Sequence, residues 1–204
     1  MASMSGREST ADGRYTDYLV GMQARWWKRL LRVQLPYRWH LRTLRLGKVL
    51  DLGCGIGRNL LHLEGGPLAV GVDTNDKSVA VARARGLVAF TPEEFRASPF
   101  ARPAGFDALL LAHVAEHLGV ASSAALVGEY REYVRTGGRV VVITPQEATY
   151  RADDTHVEFI DFEKSAAIVE SAGLDVVRQY SFPFPRWMGR FFKHNEFVTI
   201  AVNR

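Results

Sequence analysis

One seven-residue stretch, Asp51-Leu-Gly-Cys-Gly-Ile-Gly57, constrains the fold more than any other part of the chain. It closes the short apolar run KVLDLG and opens a segment carrying Leu60, Leu61 and Leu63. That order reads as a buried strand, a tight turn and a helix. Glycine lets a backbone turn sharply and lets a ligand approach it closely. Three glycines at alternate positions are more than a plain turn needs. A turn at the carboxyl end of a first strand is also where open α/β sheets take their ligands.

The rest of the chain repeats the alternation. LAVGVD, VAFT, FDALLLAH and RVVVIT read as four further strands. DKSVAVARARG reads as a helix ended by Gly86, and a helix is expected from about Ala121 to Arg135. DFEKSAAIVESAG has an aspartate at its N-cap position and a glycine beyond its end. LDVVRQYSF and EFVTIAVN follow with no helix between them, which favours an antiparallel pair at the sheet edge. The expected fold is α/β: a doubly wound, mostly parallel seven-stranded sheet with an antiparallel last strand and an N-terminal helical extension. Residues 1–14 read as a disordered tail and 15–204 as one domain. Within it, residues 15–46 form helices capping a cofactor-binding core of 47–204. Leu19, Met22, Trp26, Leu30 and Val33 recur at helical steps, Pro36 breaks the run, and a short helix from Tyr37 to Leu44 follows.

Spacing separates two ligand classes. A dinucleotide turn, G-x-G-x-x-G, needs glycine at position 58, where this chain has Arg58. The third glycine comes one residue early, at Gly57. An uncharged nucleoside with a small polar tail fits better than a pyrophosphate. Asp73 closes the second strand, where a carboxylate can accept hydrogen bonds from both ribose hydroxyls.

At these residues the chain resembles the class I, Rossmann-like S-adenosylmethionine-dependent methyltransferases of the small-molecule O-methyltransferase type. VLDLGCGIG is similar to their first motif and GVD to their second. FDALLLAHVAEHL resembles the fourth-strand segment and GGRVVVITP the fifth. The stretch from Asp154-Thr-His156 to Ala172-Gly173-Leu174 resembles the region that follows. The resemblance spans about residues 47–202. It implies S-adenosylmethionine as cofactor, with Gly53, Cys54, Gly55 and Gly57 around its methionine and ribose. It further implies Asp51 on the amino group, Asp73 with Thr74 at the ribose, Glu94 and Phe95 bordering the adenine, and the Ala112 backbone close by. Many relatives carry an aspartate after strand three. Here Thr91 takes that place, followed by Pro92, and Thr91, Glu93 and Glu94 are all candidates to replace it.

An alcohol acceptor needs a base or a metal ion, because its pKa is far above neutrality. His113, Glu116 and His117 follow strand four, and His156 follows strand five on the same rim. Imidazole suits proton transfer near pH 7. His117 or His113 is the expected base, with Glu116 orienting it and His156 orienting the acceptor. A helical turn starting at 113 puts His113, Glu116 and His117 on one face, where they could hold Mg²⁺ or another divalent ion. This segment is similar to the Glu-x-x-Glu-His segment of ubiquinone-pathway O-methyltransferases, where it is associated with metal. His113 in place of the first glutamate departs from the oxygen ligands that magnesium prefers. Asp153, Asp154 and Glu158 could add oxygens.

The chain lacks the Asn/Asp-Pro-Pro-Tyr-like segment of base-amine methyltransferases, which argues against an exocyclic base amine as acceptor. A small-molecule hydroxyl is expected, on a sugar or oligosaccharide, with a phenol or quinol as alternative. An aromatic lid could come from Trp26 and Trp27 together with Phe182, Phe184, Trp187, Phe191 and Phe192. Residues 1–49 hold ten Lys/Arg against three acids, and the remainder sixteen against nineteen. That basic segment keeps an RNA or protein acceptor as a rival reading, although no nucleic-acid module is evident. A non-catalytic cofactor-binding protein is the rival outside enzymes. One cysteine excludes a disulfide framework. No apolar run is long enough for a membrane span, and MASMSGREST lacks a signal peptide's apolar core. The expected location is the cytoplasm, with a homodimer as an option.

Overall fold

The structure, a computed structural model, describes residues 35–63 and 68–204. The first expected helix, with Trp26 and Trp27, lies outside the described residues, as does the expected tail. The described part of α1 spans 35–43. The core alternates as the sequence implies: β1 (Val49–Leu52), α2 (Arg58–Leu63), β2 (Ala69–Val72), α3 (Asp76–Ala84), β3 (Ala89–Phe90), α4 (Pro92–Ala97), β4 (Phe106–Ala112) and α5 (Ala115–Tyr130). β5 (Val134–Pro145), α6 (Glu147–Tyr150), α7 (Phe162–Ser171), β6 (Asp175–Phe182) and β7 (Glu196–Val202) complete it.

The seven strands lie in the order β3-β2-β1-β4-β5-β7-β6. The first five are parallel, while β7 runs antiparallel to both β5 and β6. This is the Rossmann-like methyltransferase fold. The order of the parallel strands reverses at β1, where β2 lies on one side and β4 on the other. Ligands bind at such switch points, beyond the carboxyl ends of the strands.

The central strands are apolar on both faces because helices cover both. Leu50, Leu52, Leu109 and Leu111 point to one side and pack with Phe95, Ala115, Val127 and Ile168 of α4, α5 and α7. Val49, Ala108 and Leu110 point to the other, against Leu41 and Leu46 at the end of α1. α1 also reaches the sheet edge. The His40 ring stacks on Phe182 at 4.0 Å, and His40 Nε2 lies 2.6 Å from the Tyr180 hydroxyl.

Three elements differ from the sequence expectation. α4 follows β3 directly, where no helix was expected. Thr91 caps it, Pro92 fits its first turn, and Glu94 closes a capping box. α5 starts at Ala115 rather than near Ala121, and Gly119 (φ 78°, ψ 172°) breaks it into two pieces. The Glu158 carboxylate accepts from Val120 N at 3.0 Å and so caps the second piece. β5 begins at Val134 and includes Gly137 and Gly138, which were expected to precede it. Asn75 caps α3, its side chain accepting from Lys77 N and Ser78 N.

Candidate active site

The β1–α2 turn shows why its glycines are glycines. Gly53, Gly55 and Gly57 all have positive φ, at 68°, 52° and 86°. A Cβ on Gly53 would lie 2.4 Å from Val114 Cγ2, and one on Gly57 would lie 2.3 Å from Leu87 Cδ1. Those two positions serve packing as well as conformation. Among the described residues, a Cβ on Gly55 would meet nothing within 4 Å. There the backbone faces open space, available to a ligand. Cys54 points the other way, into the core with Leu60, Val79 and Ala82, and burial pushes its thiol pKa up. Only its backbone belongs to the turn.

Two carboxylates flank this turn. Asp51 is fully buried. Its Oδ1 accepts a long 3.4 Å bond from Asn59 Nδ2, and its Oδ2 has no hydrogen-bond partner among the described residues. Burial pushes its pKa up to about 7, against the opposing influence of Asn59 and Arg58. A buried anion with an unsatisfied oxygen suits a cationic ligand group. Asp73 Oδ2 accepts from Gly55 N at 2.7 Å, and Oδ1 from Asn75 N at 2.9 Å. Each oxygen keeps a lone pair, so two vicinal hydroxyls could still be bound. Thr74 beside it is exposed.

The expected adenine border is only partly available. Phe95 is fully buried, with its ring against Phe106, Tyr130 and Tyr133, so it offers no face to a ligand. Its place in α4 explains this, since it is the apolar residue of that helix turned to the core. Glu94 is exposed but engaged. Its carboxylate accepts from Thr91 N at 2.8 Å and pairs with Arg83 at 2.5 and 3.1 Å. Those contacts hold its pKa below the usual carboxylate value. Ala112 ends β4 and is buried.

Beyond Ala112 the chain turns abruptly. His113 takes φ 59°, a conformation rare for a side chain with Cβ and a mark of local constraint. Its Nε2 lies 2.8 Å from Glu196 Oε1, at the start of β7, and its Nδ1 lies 3.4 Å from Glu116 Oε1. Burial opposes the imidazolium, yet the two carboxylates outweigh it and raise the His113 pKa to about 9. His113 is thus cationic near neutrality, the wrong form for a base. Because the helix starts only at Ala115, His113 meets Glu116 from outside the helix and is not grouped with His117.

The groups that do converge are Glu116, His117 and His156, with one potential ligand atom from each within 4.8 Å of the others. His117 and His156 have ring centroids 4.8 Å apart. Sequence spacing placed His113 in that cluster, and the structure puts His156 there instead. The loop bearing His156 is tied to α5 by Val157 N and Glu158 N, which both donate to the Glu116 carbonyl. Glu116 is 1% exposed; its Oε1 meets His113 Nδ1 at 3.4 Å, and its Oε2 has no hydrogen-bond partner among the described residues.

The hydrogen bonds fix the histidine tautomers. His156 Nδ1 lies 2.8 Å from the Tyr150 carbonyl oxygen, which can only accept. His117 Nδ1 lies 3.2 Å from both the carbonyl and the hydroxyl of Thr155, and that hydroxyl is bound to Asp153 Oδ1 at 2.6 Å. The neutral form of each ring is therefore the tautomer with the proton on Nδ1 and the lone pair on Nε2. Asp153, Thr155 and Tyr150 act here by orienting imidazoles. Glu196 lies over eighty residues from His113, and no local pattern pointed to it. Glu158, considered as an oxygen ligand, is committed to Val120 and to Lys164 at 2.8 Å.

The sequence matches the family described as Methyltransferase domain over residues 22–179. The chain belongs to that family. It is accordingly an S-adenosylmethionine-dependent methyltransferase. Its fold is similar to an S-adenosylmethionine-dependent methyltransferase from Archaeoglobus fulgidus (TM-score 0.62, 18% identity, covering 91% of this chain and 99% of that one). It is also similar to a TehB-like enzyme from Corynebacterium glutamicum (TM-score 0.64, 16% identity, 95% and 100% covered). A third likeness is magnesium protoporphyrin IX methyltransferase from Synechocystis with bound S-adenosylmethionine (TM-score 0.62, 12% identity, 99% and 100% covered). No curated protein matches the sequence significantly.

Proposed function

We propose that this methyltransferase transfers the methyl group to a hydroxyl of a small molecule, with His117 as proton acceptor. The observation that carries the reading is the His117 tautomer. Nδ1–H is held by Thr155, whose hydroxyl is held in turn by Asp153, so Nε2 keeps its lone pair. A base oriented through its far nitrogen by a polar chain is how proton abstraction is arranged in many active sites. His113, cationic and locked between Glu196 and Glu116, is assigned to shaping the rim. His156 lines the acceptor side.

S-adenosylmethionine, when bound, supplies a methyl group on an electrophilic sulfonium. On this reading Asp51 binds its ammonium group, Asp73 its ribose hydroxyls, and the Gly55 backbone lies against it. The chain's work on the acceptor is alignment and removal of one proton.

A sugar or oligosaccharide is the acceptor class we favour. Trp187 and Phe191 are 64% and 77% exposed on the segment between β6 and β7. Flat exposed rings suit the C–H face of a pyranose. Phe182, Phe184 and Phe192 contribute less, because Phe182 packs on α1 and the other two pack edge to face. The described helices include none long and apolar enough to cross a membrane. The test is transfer from isotopically labelled S-adenosylmethionine to panels of carbohydrates, phenols and quinols, with the product bond identified by mass spectrometry. The expected product is an O-methyl ether of a carbohydrate. Label on a phenol would replace the acceptor class, and label on nitrogen, RNA or protein would overturn the reading.

A further inference from the structure

We propose that Glu116, His117 and His156 bind a divalent transition-metal ion. Three observations converge on this. First, the ligand set is two imidazoles and a carboxylate, each offering one atom within 4.8 Å of the others. Ligands on one ion at about 2.1 Å stand roughly 3–4 Å apart, so side-chain shifts of about 1–2 Å close the site. Second, each imidazole is already in the tautomer a metal requires. Nδ1–H is given to the Tyr150 carbonyl in one case and to Thr155 in the other, which leaves Nε2 bare on both. Donation of the second ring N–H to a carbonyl is the usual support of a metal-bound histidine. Third, Glu116 is a buried carboxylate whose Oε1 meets only His113 Nδ1, at 3.4 Å, and whose Oε2 has no hydrogen-bond partner among the described residues. A buried anion in that state calls for a cation, and the 3.4 Å contact with His113 satisfies it only in part.

The donor chemistry selects the ion. Two nitrogens and one oxygen suit zinc, cobalt, manganese or iron, and not magnesium, which takes oxygen and keeps its waters. Asp153 is placed to add a second oxygen, with Oδ2 4.0 Å from His156 Nε2. The carboxylate and one histidine come from the start of α5, and the other histidine from the loop that the Glu116 carbonyl holds. The site thus spans two elements fastened to each other beside the strand ends.

The consequence for catalysis rests on the O-methylation reading. An acceptor hydroxyl taken as a further ligand loses its proton to water at lower pH. Its oxygen then takes the methyl group while the S–CH₃ bond breaks, leaving a neutral thioether. With the ion bound, His117 Nε2 would be a ligand, and the role of proton acceptor proposed above would belong to the metal-free site.

The test is titration of chelator-stripped, full-length protein with Co²⁺, read as visible d–d absorption. One saturating equivalent is expected, displaced by Zn²⁺ but not by excess Mg²⁺. His117→Gln and His156→Gln should each weaken Co²⁺ binding at least tenfold, and His194→Gln should leave it unchanged. Should a histidine variant unfold by circular dichroism, the isosteric Glu116→Gln carries the same expectation. Absence of a saturable band, or a band that survives these substitutions in folded protein, overturns the proposal. The failures are separable. Absence of saturable Co²⁺ binding overturns the metal and spares the O-methylation reading, in which metal-free enzyme methylates a hydroxyl with His117 as proton acceptor. Metal binding with no hydroxyl accepting label does the reverse.

Discussion

The donor side and the acceptor side of the site are built in opposite ways. The donor side, Asp51 to Gly57 with Asp73, is nearly contiguous in sequence and depends on backbone geometry. Three positive φ values, the buried Asp51 carboxylate and the half-buried Asp73 carboxylate define it. The acceptor side draws on β4, α5, the 153–158 loop and β7, and depends on side-chain hydrogen bonds between distant residues. A binding surface for a fixed ligand can be written in one short stretch. A surface for a variable substrate is assembled from loops, whose contents change without disturbing the sheet.

If that division is real, substitutions on one side should leave the other intact. The largest effect is expected from His117→Gln. Loss of a positioned base lowers turnover by about a hundredfold or more. The dissociation constant for S-adenosylmethionine, measured by calorimetry, should be unchanged. A fall in donor affinity comparable to the fall in turnover would break the comparison, because the two sides would then be one unit.

Asp51 gives the next effect, and it reads out in pH. Its folded pKa of about 7 lies above the ordinary 3.8. Between those values the folded state retains a proton that the unfolded chain releases. Stability is therefore fully present below about 4 and declines as pH rises through about 7. Asp51→Asn should flatten that decline in the apo-protein's melting temperature. Only the ionised carboxylate attracts an ammonium group, so donor binding should tighten as pH rises to about 7 and level off above. Asp51→Asn should abolish that pH dependence and weaken binding about tenfold to a hundredfold, the worth of a charged hydrogen bond. Unchanged affinity would remove Asp51 from the donor site.

These differences explain what could be read from sequence. The donor turn was legible because positive φ demands glycine, and Gly53, Gly55 and Gly57 record that demand directly. The sheet was legible because strands buried on both faces, such as Leu109-Leu110-Leu111, are apolar throughout. His113 was misread because spacing presumes a regular helix from 113, whereas the chain passes through φ 59° before α5 begins. Gly119 similarly disguised the start of α5. Phe95 was misassigned because sequence does not reveal which face of a six-residue helix turns inward. Glu196 and Tyr150 carry no local signal, since the partner of Glu196 lies far along the chain and Tyr150 acts through its backbone carbonyl.

A smaller effect sharpens the donor side internally. Gly55→Ala introduces a Cβ at φ 52° into open space. The left-handed conformation costs about 1–2 kcal/mol, and no neighbour is displaced. Gly57→Ala adds a collision with Leu87 to a similar strain. Gly55→Ala should therefore lose more donor affinity than melting temperature, and Gly57→Ala the reverse. Parallel losses in both variants would mean that the two glycines serve folding alone.

The smallest effect concerns the outer edge of the donor side. Glu94 was expected to border the adenine, but its carboxylate closes the α4 capping box and pairs with Arg83. Both partners of that pair are over 40% exposed, so solvent screens it and its contribution is small. The capping bond adds about 1 kcal/mol at most. Glu94→Gln keeps the shape and an acceptor oxygen for Thr91 N while removing the charge. It should lower the melting temperature by no more than a few degrees and leave S-adenosylmethionine affinity unchanged. The same variant assayed with the bare nucleoside isolates the adenine end from Asp51. A selective loss of nucleoside binding would return Glu94 to the adenine border and extend the donor side across α4. Retention would confine it to the ends of β1 and β2, where one short stretch of sequence and one aspartate suffice.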